Sequence, residues 1–87
     1  MNSSAPEHSP PALPRGALPD AETAGHIYLI KNVPSLRATQ QIRLLAAKAA
    51  LLHKQLILLA PAACRFDEPL RELMSEQPAI IGREDLR

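Results

Sequence analysis

The side chains best suited to bind another molecule follow two predicted strands. Lys31, Asn32, Ser35 and Arg37 come after the first of these strands, and Cys64 and Arg65 come after the second. The carboxyl ends of parallel strands meet at one edge of a sheet, where open α/β domains bind their ligands. Helix N-termini at that edge also offer free backbone N–H groups to anions. We therefore predict an anion site formed by Lys31, Asn32, Ser35, Arg37 and Arg65.

Residues 23–66 contain no Asp or Glu, although the net charge of the whole chain is only +1. This block carries six cationic side chains, namely Lys31, Arg37, Arg43, Lys48, Lys54 and Arg65. A basic block of this kind attracts anionic partners, so an anion or nucleic-acid binder is an alternative function. Tyr28 and Phe66 are the only aromatic residues, and they provide few surfaces on which bases could stack.

Thiol-dependent catalysis at Cys64 is a further alternative, because Arg65 and a helix N-terminus would make its surroundings basic. Against it, the spacing from Cys64 to Arg71 is one residue longer than in the loop of a cysteine-dependent phosphatase, and the loop contains no glycine. His26, His53 and Cys64 lack the spacing of metal ligands, and no P-loop or dinucleotide motif is present. We therefore expect a protein that is not an enzyme, with no metal, cofactor or small-molecule substrate.

The residues between these sites predict an α/β domain of the type β-α-β-α-(β) with a short parallel sheet. Strands are predicted at 26–30 and at 55–60, which is apolar on both faces. Residues 79–82 are either a short third strand or an apolar plug. A long helix is predicted at about 36–53, with Ser35 as its N-cap, and a short helix at about 68–76. Right-handed crossovers would connect the strands.

The chain divides into a tail and one small domain. Residues 1–24 contain five prolines and no apolar periodicity, which predicts a disordered Pro-rich tail, and residues 25–87 form the α/β domain. The single cysteine excludes an internal disulfide and favours a reducing compartment. With no secretory signal and no sufficiently apolar span, we expect a cytoplasmic protein without a membrane partner.

The long helix has more apolar surface than a small sheet can cover. At 100° per residue, Leu44 and Leu51 lie away from the sheet-facing side. Together with three polar neighbours they form what we call the outer ladder, which consists of Arg37, Gln41, Leu44, Lys48 and Leu51. Exposure of each leucine forgoes about 1.5–3 kcal/mol. The leading hypothesis is a non-enzymatic interaction or regulatory module that binds a partner protein or a second copy through this ladder; scattered surface leucines or contact with the second helix are the alternatives.

Overall fold

The computed structural model describes residues 18–86, which contain a mixed four-stranded sheet, a two-stranded sheet and two helices. The strands are β1 (Ala21–Glu22), β2 (His26–Ile30), β3 (Ser35–Leu36), β4 (Gln55–Ala60), β5 (Arg65–Phe66) and β6 (Ile81–Asp85), and the helices are α1 (Gln40–Leu52) and α2 (Glu68–Glu76). The larger sheet has the order β1-β2-β4-β6, with β1 antiparallel to β2 and the other pairs parallel. The predicted α/β class is confirmed.

Both helices cover the same face of the larger sheet. The register aligns Ile27, Leu56 and Ile81 across the three parallel strands, and all three are buried. These side chains share one hydrophobic cluster with residues of α1 and α2, such as Leu45 and Leu70. Because side chains alternate along a strand, every second residue of these strands, such as Tyr28, Ile57 and Glu84, points to the opposite face. Within residues 18–86 the domain therefore has two layers, with both helices on one face of the sheet.

Helix α1 begins later than the predicted start at residue 36. Residues 35 and 36 instead form β3, which pairs with β5 and buries the side chain of Leu36. The hydroxyl of Thr39 accepts a hydrogen bond from the backbone N–H of Ile42, so Thr39 is the N-cap and the prediction for Ser35 is wrong. Burial of Leu36 and the added strand pairing outweigh the local helix preference. The helix ends at His53, which adopts a left-handed conformation with φ of 57°.

The second half of the domain follows the predicted pattern closely. Helix α2 spans the predicted residues, and the carboxylate of Asp67 accepts the backbone N–H of Leu70 as its N-cap. The third parallel strand is real, but it begins at Ile81 and continues to Asp85. The apolar run in the sequence predicted an earlier start. The strand instead includes polar residues up to Asp85, because these residues pair with β4.

Residues 18–24, assigned from sequence to the tail, contribute β1 to the described fold. The carboxylate of Asp20 accepts the backbone N–H of Ile30, which caps the edge of β2. The carboxylate of Glu22 accepts hydrogen bonds from Lys48 and Lys54 of the α1 region. Two short-range backbone pairs and these ionic contacts hold β1 in place, and neither leaves a pattern in the sequence. Residues 1–17 and Arg87 lie outside the described residues, so the rest of the predicted tail is not described.

Leucines on the two sides of α1 should differ sharply in their effect on stability. Leu45 is 0% exposed and Leu51 is 59% exposed. We expect Leu45→Ala to lower the free energy of unfolding by about 2–5 kcal/mol, because it leaves a cavity. The matched Leu51→Ala should change it by no more than about 0.5 kcal/mol. Urea denaturation measures both, and equal losses would contradict this placement of α1.

Glu22 should make the stability of β1 depend on pH. Hydrogen bonds from Lys54, and then from Lys48, hold the pKa of Glu22 below its ordinary value. A depressed folded-state pKa adds stability above the unfolded-state value of about 4.3, and this stability is lost as the pH falls through the folded-state pKa. Compared with Glu22→Gln, the wild type should therefore lose more stability on acidification from about pH 5 to pH 3. Urea denaturation across this range measures the difference, which should be modest because the pair lies near the surface; parallel pH profiles would contradict the assigned ion pairs.

Candidate functional site

The two-stranded sheet joins the loops that leave the carboxyl ends of β2 and β4. Its register places Ser35 beside Arg65 and Leu36 beside Phe66. Leu36 and Phe66 belong to the hydrophobic cluster, whereas Ser35 and Arg65 are exposed. The structure thus brings together two of the residues predicted for the anion site and holds them beside the end of the core.

Three arginines from different elements line one open depression next to this sheet. We call it the guanidinium depression; it has a volume of about 560 Å³ and is lined by Arg65, Phe66, Arg71, Met74 and Arg83. Arg65 comes from β5, Arg71 from α2 and Arg83 from β6. Phe66 and Met74 provide its apolar wall. Such a combination of cationic groups and apolar wall suits an anion whose charge is carried by oxygen atoms.

Arg83 is held in a defined position at the base of this arrangement. Its Nη2 donates hydrogen bonds to the backbone oxygens of Pro61, at 2.7 Å, and Ala62, at 3.3 Å. Its guanidinium carbon lies 4.3 Å from the centre of the Phe66 ring, within the range of a cation–π contact. The parallel register with β4 sets this position, because it pairs Arg83 with the buried Leu58 on the helix-covered face. A guanidinium fixed in this way loses little conformational entropy when a ligand binds.

No carboxylate neutralises these three arginines within residues 18–86. The ion pairs found in that range join Glu22 to Lys48 and Lys54 and involve no arginine. Three like charges around one depression repel each other, and a bound anion would convert that repulsion into attraction. The electrostatics of the site therefore favour occupation by an anion.

The remaining residues of the predicted anion site lie elsewhere. Arg37 lines a second depression of about 500 Å³ together with Arg43 and Asp67, whose carboxylate reduces the local positive charge. Lys31 donates its backbone N–H to the carbonyl of Leu59 and lines neither depression. Asn32 is exposed and also lines neither of them.

Sequence reasoning missed Arg71 and Arg83, which lie outside the acid-free block. One signal for Arg83 was available in the sequence. It follows the apolar Ile81 by two residues, so in a strand the two side chains lie on the same face, and Ile81 is buried. Arg71 left no comparable signal, because its place beside Arg65 depends on how α2 packs.

The outer ladder is partly used within the chain. The side-chain amide of Gln41 donates to the backbone oxygen of Leu18 at 3.5 Å, and Lys48 pairs with Glu22. Leu44 is half-buried, and Leu51 is the exposed leucine of the set. Arg37 precedes α1 and so does not continue the ladder. The surplus apolar surface on this side of the helix is therefore smaller than its sequence suggested.

Cys64 is 4% exposed, and its Sγ lies 3.9 Å from the backbone oxygen of Arg65. A thiol in this position packs as a small apolar group. Among residues 18–86, no three His, Cys, Asp or Glu side chains are grouped in a way that could hold a metal ion. Neither α1 nor α2 has both the length and the apolar character needed to cross a membrane. Of the two depressions described, the guanidinium depression is the one whose lining contains no carboxylate.

Comparison of the chain with protein-family models, with curated protein sequences and with solved structures gave no match.

Proposed function

We propose that this domain binds a compact, phosphate-like anionic group in the guanidinium depression. The observation that supports the proposal is the convergence of Arg65, Arg71 and Arg83 without a carboxylate partner in residues 18–86. Guanidinium groups recognise phosphate and carboxylate oxygens through pairs of parallel N–H···O bonds. Arg83 supplies a preorganised donor, while the exposed Arg65 and Arg71 can close around the ligand.

The arrangement favours a compact anion over an extended nucleic-acid strand. The cationic side chains are divided between two depressions, and Asp67 lies in the second one with Arg37 and Arg43. Phe66 is 9% exposed and already has a guanidinium against its ring, so it is poorly placed to stack on a base. Single-strand binders instead combine a continuous basic groove with exposed aromatic rings.

Binding without catalysis is part of the proposal. The side chains that line the depression are three arginines, a phenylalanine and a methionine. None of these is a nucleophile or a group that exchanges protons near neutral pH. The depression can therefore hold and orient an anion, and it supplies no group to transfer a proton or form a covalent intermediate.

Protein binding through the outer ladder stays a prediction with narrower support. Leu51 is exposed, but Gln41 and Lys48 already contact residues 18–22. A partner that covered the ladder would have to dock around that segment. For this reason we place the anion site ahead of the ladder.

Phosphate binding tests the proposed function directly. Inorganic phosphate titrated into the full chain should shift the NMR signals of Arg65, Arg71 and Arg83 together. Arg71→Gln should weaken binding about tenfold, because one charge-assisted hydrogen bond contributes about 1.5 kcal/mol. Arg71 makes no side-chain hydrogen bond or ion pair within residues 18–86, so the fold should be unaffected.

Lys31→Gln is the matched control, because it removes one positive charge outside both depressions. An equal loss of affinity in both variants would show that only the net charge of the protein matters, and it would contradict binding in the guanidinium depression. A short single-stranded oligonucleotide forms the second arm of the experiment. If it bound with a steep salt dependence while phosphate did not bind, nucleic acid would replace the compact anion as the ligand.

A further inference from the structure

The face of the four-stranded sheet opposite the helices has no covering element within residues 18–86. We call it the open face; the side chains that matter are His26, Tyr28, Ile30, Ile57, Leu59 and Glu84. Their side follows from strand alternation, since Ile27, Leu29 and Leu58 point into the core. The His26 and Tyr28 rings stack at 5.8 Å, which confirms that they share one side of the sheet.

The open face is apolar at its centre. Ile57 is 4% exposed, yet it is not part of the main hydrophobic cluster. Its Cδ1 and the Nε2 of Gln55 lie over Gly82, at 3.4 and 3.2 Å from the position that a Cβ there would occupy. Ile30 is 46% exposed, and Tyr28 and Leu59 are half-buried. Exposed apolar surface on this face, contributed mainly by Ile30 with part of Tyr28 and Leu59, makes it a candidate interaction surface.

The charge pattern of the open face indicates which partner would fit. Among the side chains that β2, β4 and β6 direct to the open face, only His26 and Glu84 can carry a charge near neutral pH. The register places His26 at the amino end of β2 and Glu84 toward the carboxyl end of β6, with β4 between them. They therefore occupy opposite corners of a roughly rectangular patch with Ile57 at its middle. A surface with complementary groups at opposite corners can pair with a copy of itself.

We propose that the open face binds the open face of a second copy, with the strands of the two sheets crossing at close to 90°. Orthogonal packing is one of the two ordinary ways in which sheets stack. A two-fold axis along the diagonal through Ile30 and Ile57 exchanges the other two corners. Each His26 then lies against Glu84 of the second copy, and each Tyr28 lies over Leu59 of the second copy.

The alternative diagonal is disfavoured by charge. A two-fold axis through His26, Ile57 and Glu84 would place each Glu84 against its own counterpart. Like charges that face each other across an interface cost several kcal/mol, so the His26–Glu84 exchange is selected.

The dimension of the patch sets the expected strength. Three strands about 4.8 Å apart and five residues at about 3.3 Å each give a footprint of roughly 10 by 16 Å. This is smaller than the surface of about 800 Å² per partner that stable complexes bury. The dimer should therefore dissociate at a concentration on the order of 10⁻⁵ to 10⁻⁴ M.

Sedimentation velocity of the full chain between about 10 and 500 μM tests the proposal, and this range brackets the expected dissociation constant. The wild type should shift from monomer to dimer. Ile30→Glu places two carboxylates at the axis and should raise the dissociation constant at least about tenfold. Leu51→Glu adds the same charge on the outer ladder and should leave the constant unchanged. Thermal unfolding by circular dichroism confirms that each variant is folded.

A charge exchange tests the predicted corner contacts specifically. His26→Glu should raise the dissociation constant about tenfold, because the carboxylate introduced in each copy then faces Glu84 of the other copy. Adding Glu84→Lys should bring the constant back to within about threefold of the wild type, as in a double-mutant cycle. Glu72→Lys, an exposed acid on α2, is the control and should not rescue His26→Glu.

A strict monomer at about 500 μM would overturn the proposal, since that concentration exceeds the expected dissociation constant. The open face would then have to be covered by residues 1–17 or by another protein. Dissociation by Leu51→Glu and not by Ile30→Glu would move the dimer to the outer ladder and overturn it as well. A dimer that survives Ile30→Glu and shows no rescue in the charge exchange would exclude the open face as its interface.

Discussion

The position of β4 between β2 and β6 is the constraint on which the rest of the structure depends. These three parallel strands lie in space in the order in which they occur along the chain. With right-handed crossovers, each connecting helix returns over the same face. The single cluster that unites both helices with one side of the sheet agrees with this arrangement. Residues 18–86 then bury one face of the sheet well and place no further helix or strand on the other.

The same strand order produces the guanidinium depression. Parallel pairing with β4 brings Arg83 to the end of the core, beside Phe66. Burying part of a guanidinium costs free energy unless its N–H groups donate hydrogen bonds. The carbonyls of Pro61 and Ala62 accept such bonds from the partly buried Arg83. The cation is thus stabilised at the boundary between core and solvent without an ion pair to a carboxylate of residues 18–86. That is the situation in which a guanidinium keeps its capacity to bind an external anion.

The two proposed surfaces belong to different parts of the domain. The guanidinium depression lies on the helix-covered side, at the carboxyl ends of the parallel strands, whereas the open face is the opposite side of the sheet. The proposed anion binding and the proposed self-association therefore would not compete for the same residues. Segment 18–22 takes up the flank of α1 through Gln41 and Lys48, which leaves these two surfaces as the main unpartnered features of residues 18–86.

Local sequence by itself determined the α/β class, the strands at 26–30 and 55–60, and the short helix behind Asp67, because apolar runs and an N-cap act over a few residues. It also placed Arg65 at the edge of the sheet where the parallel strands β2 and β4 end. Tertiary structure alone decided that Leu36 forms a strand, that residues 21 and 22 extend the sheet, and that Arg71 and Arg83 join Arg65. Those outcomes depend on pairing between distant segments and on register, since a shift of one residue sends a strand's side chains to the other face.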